Sequence, residues 1–306
     1  KDYLLSTDVL TQLENTRDMY YTTDAAYAWC KTYTQQRASN FYYAFAILPT
    51  IKRNSTYAAY AFSGYVDDIA DEIKDRRIQE AAITQARTQL RNCYVGKAAG
   101  PLFTALAATI KKYDIPQEYF EELVNGVEMD FTIDRYATWK ELEKYCYRVA
   151  SMVGLICTSI FGTKSDINMK DYAIKMGLGL QIVNIMRDVS EDAERGRIYF
   201  PQDELAKHQL TDADILEGRY DERFIALMKQ QGERARAYFT EGRQLLPLLD
   251  NRSRMCVNVM QGVYFEILKR IEDRNYNVIS KRVGLSNKEK IFAIGHLWLD
   301  ALLNAK

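Results

Sequence analysis

The sequence predicts an all-α protein in a single domain of residues 1–306, and two features of the chain support this expectation. Residues that break helices are rare, since the 306 residues include only 15 glycines and 5 prolines. So few breakers over so long a chain favour long helices joined by few turns. No stretch shows a convincing alternation of polar and apolar residues, which is typical of half-buried β-strands.

The composition excludes several functional classes. Lysine and arginine together number 41, as do aspartate and glutamate, so nothing indicates a nucleic-acid-binding surface. The five cysteines are scattered without a C-x-x-C pair, which predicts buried thiols in a reducing, cytoplasmic compartment. No stretch approaches the roughly 18 uncharged apolar residues that a membrane span requires, and no signal peptide is visible.

Apolar spacing and breaker positions place the predicted helices. We predict helices over residues 24–36, 50–74, 78–92, 102–113, 117–129, 139–161, 221–246, 254–275 and 288–303, with a further apolar segment over 41–48. Asp166 is the expected N-cap of one more helix, which contains Gly177 and Gly179. Because glycine weakens a helix, we expect close packing or a ligand beside these two residues.

A polar stripe on that helix is the starting point of the functional prediction. Asn184, Asp188 and Asp192 recur every four residues and share one helix face, and Gln181 lies one turn upstream. Such a stripe is most simply a solvated helix face. The alternative is a cation site, because adjacent carboxylates repel each other and Mg²⁺ prefers hard oxygen ligands.

A second acidic pair makes the cation site the stronger interpretation. Asp67 and Asp71 lie one turn apart on the predicted helix 50–74. If both acidic helices face one cavity, their carboxylates must be neutralised, because desolvated like charges cost on the order of several kcal/mol. Two or three Mg²⁺ ions, or Mn²⁺ in their place, would do this together with a substrate diphosphate. Such a site favours ionisation of a carbon–diphosphate bond.

The two acidic stretches resemble the aspartate-rich motifs of the squalene/phytoene synthase family. The first is Asp67-Asp68-x-x-Asp71, and the second is Asn184-Ile-Met-Arg187-Asp188-Val-Ser-Glu191-Asp192. Further segments in family-like order and spacing are Glu128-Met-Asp130, Arg135-Tyr136, Tyr145-Cys-Tyr147, Val149-Ala150, Gly196-Arg197-Ile-Tyr199-Phe-Pro201 and Asn275-Tyr276. The resemblance extends over roughly residues 24–298, and its most specific part is the second motif with the Arg-Ile-Tyr-Phe-Pro continuation.

The resemblance implies a class I isoprenoid synthase, an all-helical fold with a central cavity. It also implies a prenyltransferase that condenses two prenyl diphosphates head to head, through a cyclopropyl diphosphate, to a triene-centred hydrocarbon of carotenoid biosynthesis. No G-x-G-x-x-G fingerprint is present, so we expect no NADPH and an unreduced product. The implied partners are prenyl diphosphates, downstream carotenoid enzymes and, through reversible peripheral contact, the membrane surface.

Carried over position by position, the resemblance implies three groups of site residues. The implied metal ligands are Asp67, Asp71, Asn184, Asp188 and Asp192. The implied diphosphate contacts are Gln181, Arg187, Arg282 and the run Arg37, Ser39 and Asn40. The tyrosines implied to line the reaction chamber, where aromatic faces stabilise cations, are Tyr60, Tyr145 and Tyr264. For Tyr264, simple packing on a long helix is an equal alternative.

Two departures from the family pattern bear on activity. The run Arg37-Ala-Ser39-Asn40 lacks the family's lysine, and Gly64 stands where relatives commonly carry arginine. One fewer charge-assisted hydrogen bond to a diphosphate costs about 1.5–3 kcal/mol. Two alternatives therefore stay open: a prenyl diphosphatase that hydrolyses without coupling, and a non-catalytic helical binding subunit. The second predicts the loss of metal ligands, and none of the five is lost.

Two aromatic residues predict the length of the prenyl donor. Tyr57 lies ten residues before Asp67, which is about 15 Å along a helix. Phe45 occupies a family position at the same end of the tunnel, where longer-chain phytoene synthases often carry a small residue. Two bulky aromatics there favour fifteen-carbon farnesyl diphosphate and thirty-carbon dehydrosqualene. The alternative is a phytoene synthase that uses twenty-carbon geranylgeranyl diphosphate.

Overall fold

The computed structural model describes residues 20–37, 39–164, 168–284 and 289. Asp166 and nearly all of the predicted helix 288–303 lie outside these residues, and so do the side chains of Ser39 and Asn40. The helix that contains Gly177 and Gly179 begins at Met169 with Asn168 as its N-cap, so the prediction that Asp166 caps it is wrong. The other predictions made for these residues stay predictions.

The described part of the chain is all-α, which confirms the predicted fold class. Its helices are α1 (Thr23–Arg37), α2 (Ser39–Phe45), α3 (Thr50–Glu72), α4 (Arg76–Tyr94), α5 (Pro101–Tyr113), α6 (Gln117–Thr132), α7 (Trp139–Cys146), α8 (Met152–Phe161), α9 (Met169–Arg187), α10 (Val189–Glu194), α11 (Gln202–Lys207), α12 (Asp212–Leu216), α13 (Glu222–Gly242) and α14 (Asn251–Asp273). A 3-10 segment, Arg243–Leu248, follows α13. The described residues contain no β-strand, and one isolated β-bridge joins Arg135 and Ile198. None of the described helices is both long and apolar enough to cross a bilayer.

The predicted helix over 139–161 is the main correction to the element boundaries. It consists of α7 and α8 with a π-helical segment, Tyr147–Ser151, between them. The backbone of this segment lies against α9, because a Cβ atom on Gly177 would be 2.7 Å from Ser151 Cα. Apolar spacing carries no sign of such a widened turn, which occurs mostly as a single bulge inside an α-helix.

The glycines of α9 confirm the prediction of close packing. A Cβ atom on Gly179 would lie 2.9 Å from the ring of Phe239 on α13. On the same pair of helices, a Cβ atom on Gly242 would lie 2.8 Å from the backbone nitrogen of Met176. The loss of helix propensity at these positions is therefore offset by a shorter distance between packed elements.

One compact unit of the chain comprises Lys1–Phe131, Met152–Lys164 and Leu249–Cys256. Its central helix is α3, which packs against α1, α5 and α8 and buries apolar side chains such as Ala58 and Phe62. Lys52, near the start of α3, donates to the carbonyl of Phe161 and, at 2.7 Å, to Asp250. These bonds tie α3 to the end of α8 and the start of α14.

A second compact unit comprises Thr132–Ser151, Ser165–Leu248 and Val257–Lys306. Its central helix is α9, which packs along α13 and against the π-helical segment. Asp221 caps the start of α13 by accepting hydrogen bonds from the backbone nitrogens of Arg223 and Phe224. The prediction of a single domain is not tested by this division and stays a prediction.

All five cysteines are free and buried, which confirms the prediction of buried thiols. Cys30, Cys93, Cys157 and Cys256 belong to the first unit and Cys146 to the second. Burial raises the pKa of every one of these thiols above its ordinary value. They are therefore protonated, small core residues.

The close contact of α9 with the π-helical segment makes Gly177 sensitive to substitution. We expect Gly177→Ala to lower the free energy of unfolding by about 1–3 kcal/mol, because the new methyl group meets backbone atoms that cannot turn aside. Gly232→Ala on α13 is the matched control, since its Cβ would meet no described atom closer than 3.6 Å. That control should be neutral or stabilising by up to about 1 kcal/mol. Urea denaturation measures both, and equal effects would contradict the packing argument.

Candidate active site

The first aspartate motif lies on α3 and belongs to the first unit. Asp67 and Asp71 are one helical turn apart, as predicted. Burial, reinforced by the neighbouring carboxylates of Asp71 and Asp130, raises the pKa of Asp67 to about 7, and Arg37 opposes the shift. Asp130 belongs to the family-like segment Glu128-Met-Asp130 but was not predicted as a site residue. The motif thus concentrates negative charge that the surrounding cation only partly offsets.

Asp68, between the two predicted ligands, has a different role that sequence reasoning missed. It is buried, and its carboxylate accepts a hydrogen bond of 2.6 Å from the Tyr33 hydroxyl and another from Arg37 Nη1. Arg37 was predicted as a diphosphate contact, and the structure gives it an internal carboxylate partner. Its side chain lies over Gly64, so the positive charge expected to be missing near Gly64 comes from α1.

The second aspartate motif lies in the second unit, at the junction of α9 and α10. The sequence was interpreted as one helix, but α9 ends at Arg187, and Asp188 separates it from α10. The backbone nitrogen of Asp188 still donates to the Asn184 carbonyl at 2.9 Å, and that of Asp192 donates to the Asp188 carbonyl at 2.9 Å. The four-residue spacing of the polar stripe therefore survives the break.

Asn184 carries the clearest sign of an unmet ligand requirement. Its Nδ2 atom donates to Gln181 Oε1 at 3.3 Å, whereas its Oδ1 atom is buried and no donor within the described part of the chain reaches it. Buried amide oxygens are normally satisfied. A hard cation is a suitable partner for such an oxygen.

Two arginines surround the carboxylate of Asp188. Arg187 binds it through Nε at 2.8 Å and Nη2 at 2.5 Å. Arg282 binds the same carboxylate at 2.9 Å and also pairs with Glu191 at 3.2 Å. Both arginines were predicted as diphosphate contacts, and the structure pairs both with a predicted metal ligand. Charge-assisted bonds of this kind can be exchanged for bonds to phosphate oxygens.

Tyr264 and Tyr145 are both buried in the second unit. The Tyr264 hydroxyl oxygen accepts hydrogen bonds from the side chains of Asn184 and Arg187, which oppose the rise in its pKa that burial causes. Tyr145 stacks on Tyr199 with ring centroids 5.2 Å apart, and their hydroxyls are 3.3 Å apart. Tyr264 therefore borders the second motif, whereas Tyr145 contacts the Arg-Ile-Tyr-Phe-Pro segment.

The aromatic cluster of α2 and α3 comprises Phe41, Tyr42, Phe45, Tyr57 and Tyr60. Phe45 and Tyr57 are each 1% exposed, and their ring centroids lie 6.1 Å apart in an edge-to-face arrangement. Tyr60 lies 5.7 Å from Phe45 and 5.3 Å from Phe41. The predicted proximity of Phe45 and Tyr57 is confirmed, and both share the first unit with Asp67 and Asp71.

The five predicted metal ligands fall into the two units. Asp67 and Asp71 belong to the first, and Asn184, Asp188 and Asp192 belong to the second. Among the residues that the structure describes, no group of three or more histidines, cysteines or acids is placed to hold a metal ion. The donor chemistry nevertheless fits a hard cation, because the charged form of the Asp67 carboxylate is disfavoured by burial and by its acidic neighbours, and because the oxygen of Asn184 is unsatisfied. A site shared by both motifs stays a prediction.

Comparison with known proteins shows similarity over most of the chain. A family profile described as squalene/phytoene synthase matches residues 34–289. Phytoene synthase from Arthrospira platensis is 32% identical over 281 residues, which span 88% of this chain and 91% of that protein. Phytoene synthase 1, chloroplastic, from Solanum lycopersicum is 32% identical over 283 residues, which span 91% of this chain and 69% of that protein.

Solved structures give a second kind of relative. A dehydrosqualene synthase in complex with a ligand superposes with a TM-score of 0.83 at 26% identity, covering 93% of this chain and 98% of that chain. A squalene synthase from Alicyclobacillus acidocaldarius superposes with a TM-score of 0.78 at 30% identity, covering 83% of this chain and 96% of that chain. The similar proteins thus carry the names of several related synthases.

The unsatisfied oxygen of Asn184 predicts an unusual tolerance to substitution. We expect Asn184→Leu to lower the free energy of unfolding by only about 0.5–1 kcal/mol, because losing the bonds from its Nδ2 side to Gln181 and Tyr264 is partly offset by removing the unsatisfied oxygen. Asp188→Leu is the contrasting variant, since it removes the carboxylate that Arg187 and Arg282 share. With the Arg187 side chain 14% exposed and the Arg282 side chain 53% exposed, that loss should cost about 1–3 kcal/mol. Urea denaturation compares the two, and an equal loss would show that Asn184 Oδ1 has a partner.

Proposed function

Because the chain belongs to the squalene/phytoene synthase family, we propose that it condenses two molecules of farnesyl diphosphate head to head. The intermediate is a cyclopropyl diphosphate, and the product is the thirty-carbon hydrocarbon dehydrosqualene (4,4'-diapophytoene). Two ionisations each break one carbon–oxygen bond and release one diphosphate, and a proton is lost on closing the cyclopropane and again on forming the central triene. The observation that carries the choice of donor is the buried contact between Phe45 and Tyr57.

The aspartate motifs are proposed to hold Mg²⁺ through Asp67, Asp71, Asn184, Asp188 and Asp192. The raised pKa of Asp67 and the unsatisfied Oδ1 atom of Asn184 support this assignment. When bound, Mg²⁺ or Mn²⁺ neutralises the carboxylates and the charge that develops on the leaving diphosphate.

The arginines of the second motif are proposed to bind diphosphate. Arg187 and Arg282 present planar, permanently charged groups within 3 Å of Asp188, and such groups match phosphate oxygens in geometry. Tyr264, in hydrogen-bonding contact with Arg187, would hold that guanidinium in place. Gln181 would orient Asn184 through the bond between their amides.

The donor is proposed to be fifteen carbons long because of the aromatic cluster of α2 and α3. Tyr57 and Asp67 lie on the same unbroken helix, so a prenyl chain that runs back from the first motif along α3 would meet Tyr57 and Phe45. Both rings are fully packed, and a further isoprene unit would overpack the core. The relatives named phytoene synthase support a second candidate, the twenty-carbon geranylgeranyl donor.

A competition assay tests the proposal. The purified protein is given equal concentrations of farnesyl and geranylgeranyl diphosphate with MgCl₂ and NADPH, and the hydrocarbons are identified by mass spectrometry. We expect unreduced dehydrosqualene, no product in excess chelator, and no product from Asp67→Ala, whose helical circular dichroism is retained. Phytoene as the main product would show the donor assignment to be wrong, and squalene would exclude an unreduced product. Prenyl alcohol alone would indicate a diphosphatase.

Truncating the aromatic cluster should lengthen the accepted donor. We expect Phe45→Ala, alone or with Tyr57→Ala, to raise the use of geranylgeranyl over farnesyl diphosphate by about 5- to 100-fold, because overpacking is relieved. Phe120→Ala is the matched control, since this residue is fully buried in the same unit but packs edge-to-face against Phe62. The ratio of kcat/KM values for the two donors is the measurement. A similar change in Phe120→Ala would show that Phe45 and Tyr57 do not set the length of the accepted donor.

A further inference from the structure

The side chain of Arg37 occupies the space that a residue larger than glycine would need at position 64. A Cβ atom on Gly64 would lie 2.9 Å from both Cδ and Nε of Arg37 and 3.0 Å from Cε1 of Tyr33. Carbon atoms in favourable contact are about 3.5–4.0 Å apart. Gly64 lies inside α3, where glycine weakens the helix, so its benefit here is the close approach of α1.

Asp68 fixes the guanidinium that lies over Gly64. One carboxylate oxygen of Asp68 accepts from Arg37 Nη1, and the other accepts from the Tyr33 hydroxyl. The Asp68 side chain is 3% exposed, whereas that of Arg37 is 30% exposed. The carboxylate is therefore an internal anchor, and the guanidinium still borders solvent.

This anchor places Arg37 beside the first aspartate motif. Arg37 interacts electrostatically with Asp67, Asp71 and Tyr60, so its charge lies among the residues proposed to hold the cation. A guanidinium has five N–H donors, and Asp68 accepts from one of its nitrogens. The group can therefore keep its internal anchor while it donates to a phosphate oxygen.

We propose that Gly64 and Asp68 are positioning residues for Arg37: Gly64 leaves room for its side chain, and Asp68 holds its guanidinium where it binds the substrate diphosphate. The binding of diphosphate by Arg37 rests on the proposed function, whereas the packing of Arg37 over Gly64 does not. Neither Gly64 nor Asp68 touches the substrate in this arrangement. Their effect on binding passes through Arg37 alone.

A double-mutant cycle tests this dependence. The variants are Gly64→Ala, Arg37→Ala and the two combined, with Gly232→Ala as the control for alanine in mid-helix. Each is measured by urea denaturation and by calorimetric titration with inorganic diphosphate in MgCl₂. We expect Gly64→Ala to lower the urea midpoint and to weaken diphosphate binding by about tenfold or more. Once Arg37 is alanine, Gly64→Ala should leave diphosphate binding unchanged and should lower the urea midpoint less, because only the contact with the Tyr33 ring remains. Gly232→Ala should leave diphosphate binding unchanged.

Two further variants keep the proposal testable if Gly64→Ala does not fold. Asp68→Asn keeps an acceptor for Tyr33 but loses the ionic partner of Arg37, and it should weaken diphosphate binding only when Arg37 is present. Arg37→Lys combined with Gly64→Ala should fold and bind diphosphate more tightly than Arg37→Ala, because the slimmer lysine side chain leaves room at position 64 and keeps a positive charge.

Three outcomes would overturn the inference in whole or in part. Additive effects of Gly64→Ala and Arg37→Ala would show that Gly64 does not act through Arg37. A lower urea midpoint with unchanged diphosphate affinity would reduce Arg37 to a structural cross-link. If the unmodified protein binds no diphosphate, the proposed function fails, and so does the proposed binding of diphosphate by Arg37. The coupling between the two substitutions in the urea midpoints then decides whether Gly64 makes room for Arg37.

Discussion

Negative charge on α3 is the constraint on which the first unit depends. Burial and two neighbouring carboxylates raise the pKa of Asp67 to about 7, and the charge of Arg37 does not cancel this effect. The 23 residues of α3 form one unbroken helix that keeps Asp67 and Asp71 a turn apart. Docking of α1 onto α3 then supplies Arg37. Acidic groups that the chain offsets only in part gain the most from a bound cation, since that cation removes both repulsion and desolvation cost.

The two aspartate motifs differ in how the chain balances their charge. In the first, a buried aspartate that is not a predicted ligand, Asp68, pairs with Arg37, and the pKa of Asp67 stays raised. In the second, the predicted ligand Asp188 is itself paired with Arg187 and Arg282. Under the proposed function, a cation at Asp67 would break no ion pair that the described residues form, whereas a cation at Asp188 would compete with Arg187 and Arg282 for the carboxylate. An arginine released in this way would be free to bind phosphate.

Features set by local spacing could be predicted from the sequence, and features set by distant contacts could not. The helix of Asp67 and Asp71, the four-residue stripe from Asn184 to Asp192 and the close packing of Gly177 all follow from periodicity or from the cost of glycine in a helix. The pairing of Arg37 with Asp68 joins residues 31 positions apart, and no sequence pattern in α1 or α3 predicts it. The break at Asp188 could not be predicted either. The four-residue spacing of the polar stripe is the same on both sides of the break, so the spacing does not reveal it.

Covalent labelling of the buried cysteines can report local unfolding of each unit. A thiol reacts with alkylating reagents as its thiolate, and burial disfavours that form at all five positions. Covalent labelling at neutral pH therefore requires that the surrounding helices first separate. Cys146 is the single cysteine of the second unit, and the first unit holds the other four. The site of the first label consequently reports which unit opens first, and its rate reports how often that unit opens.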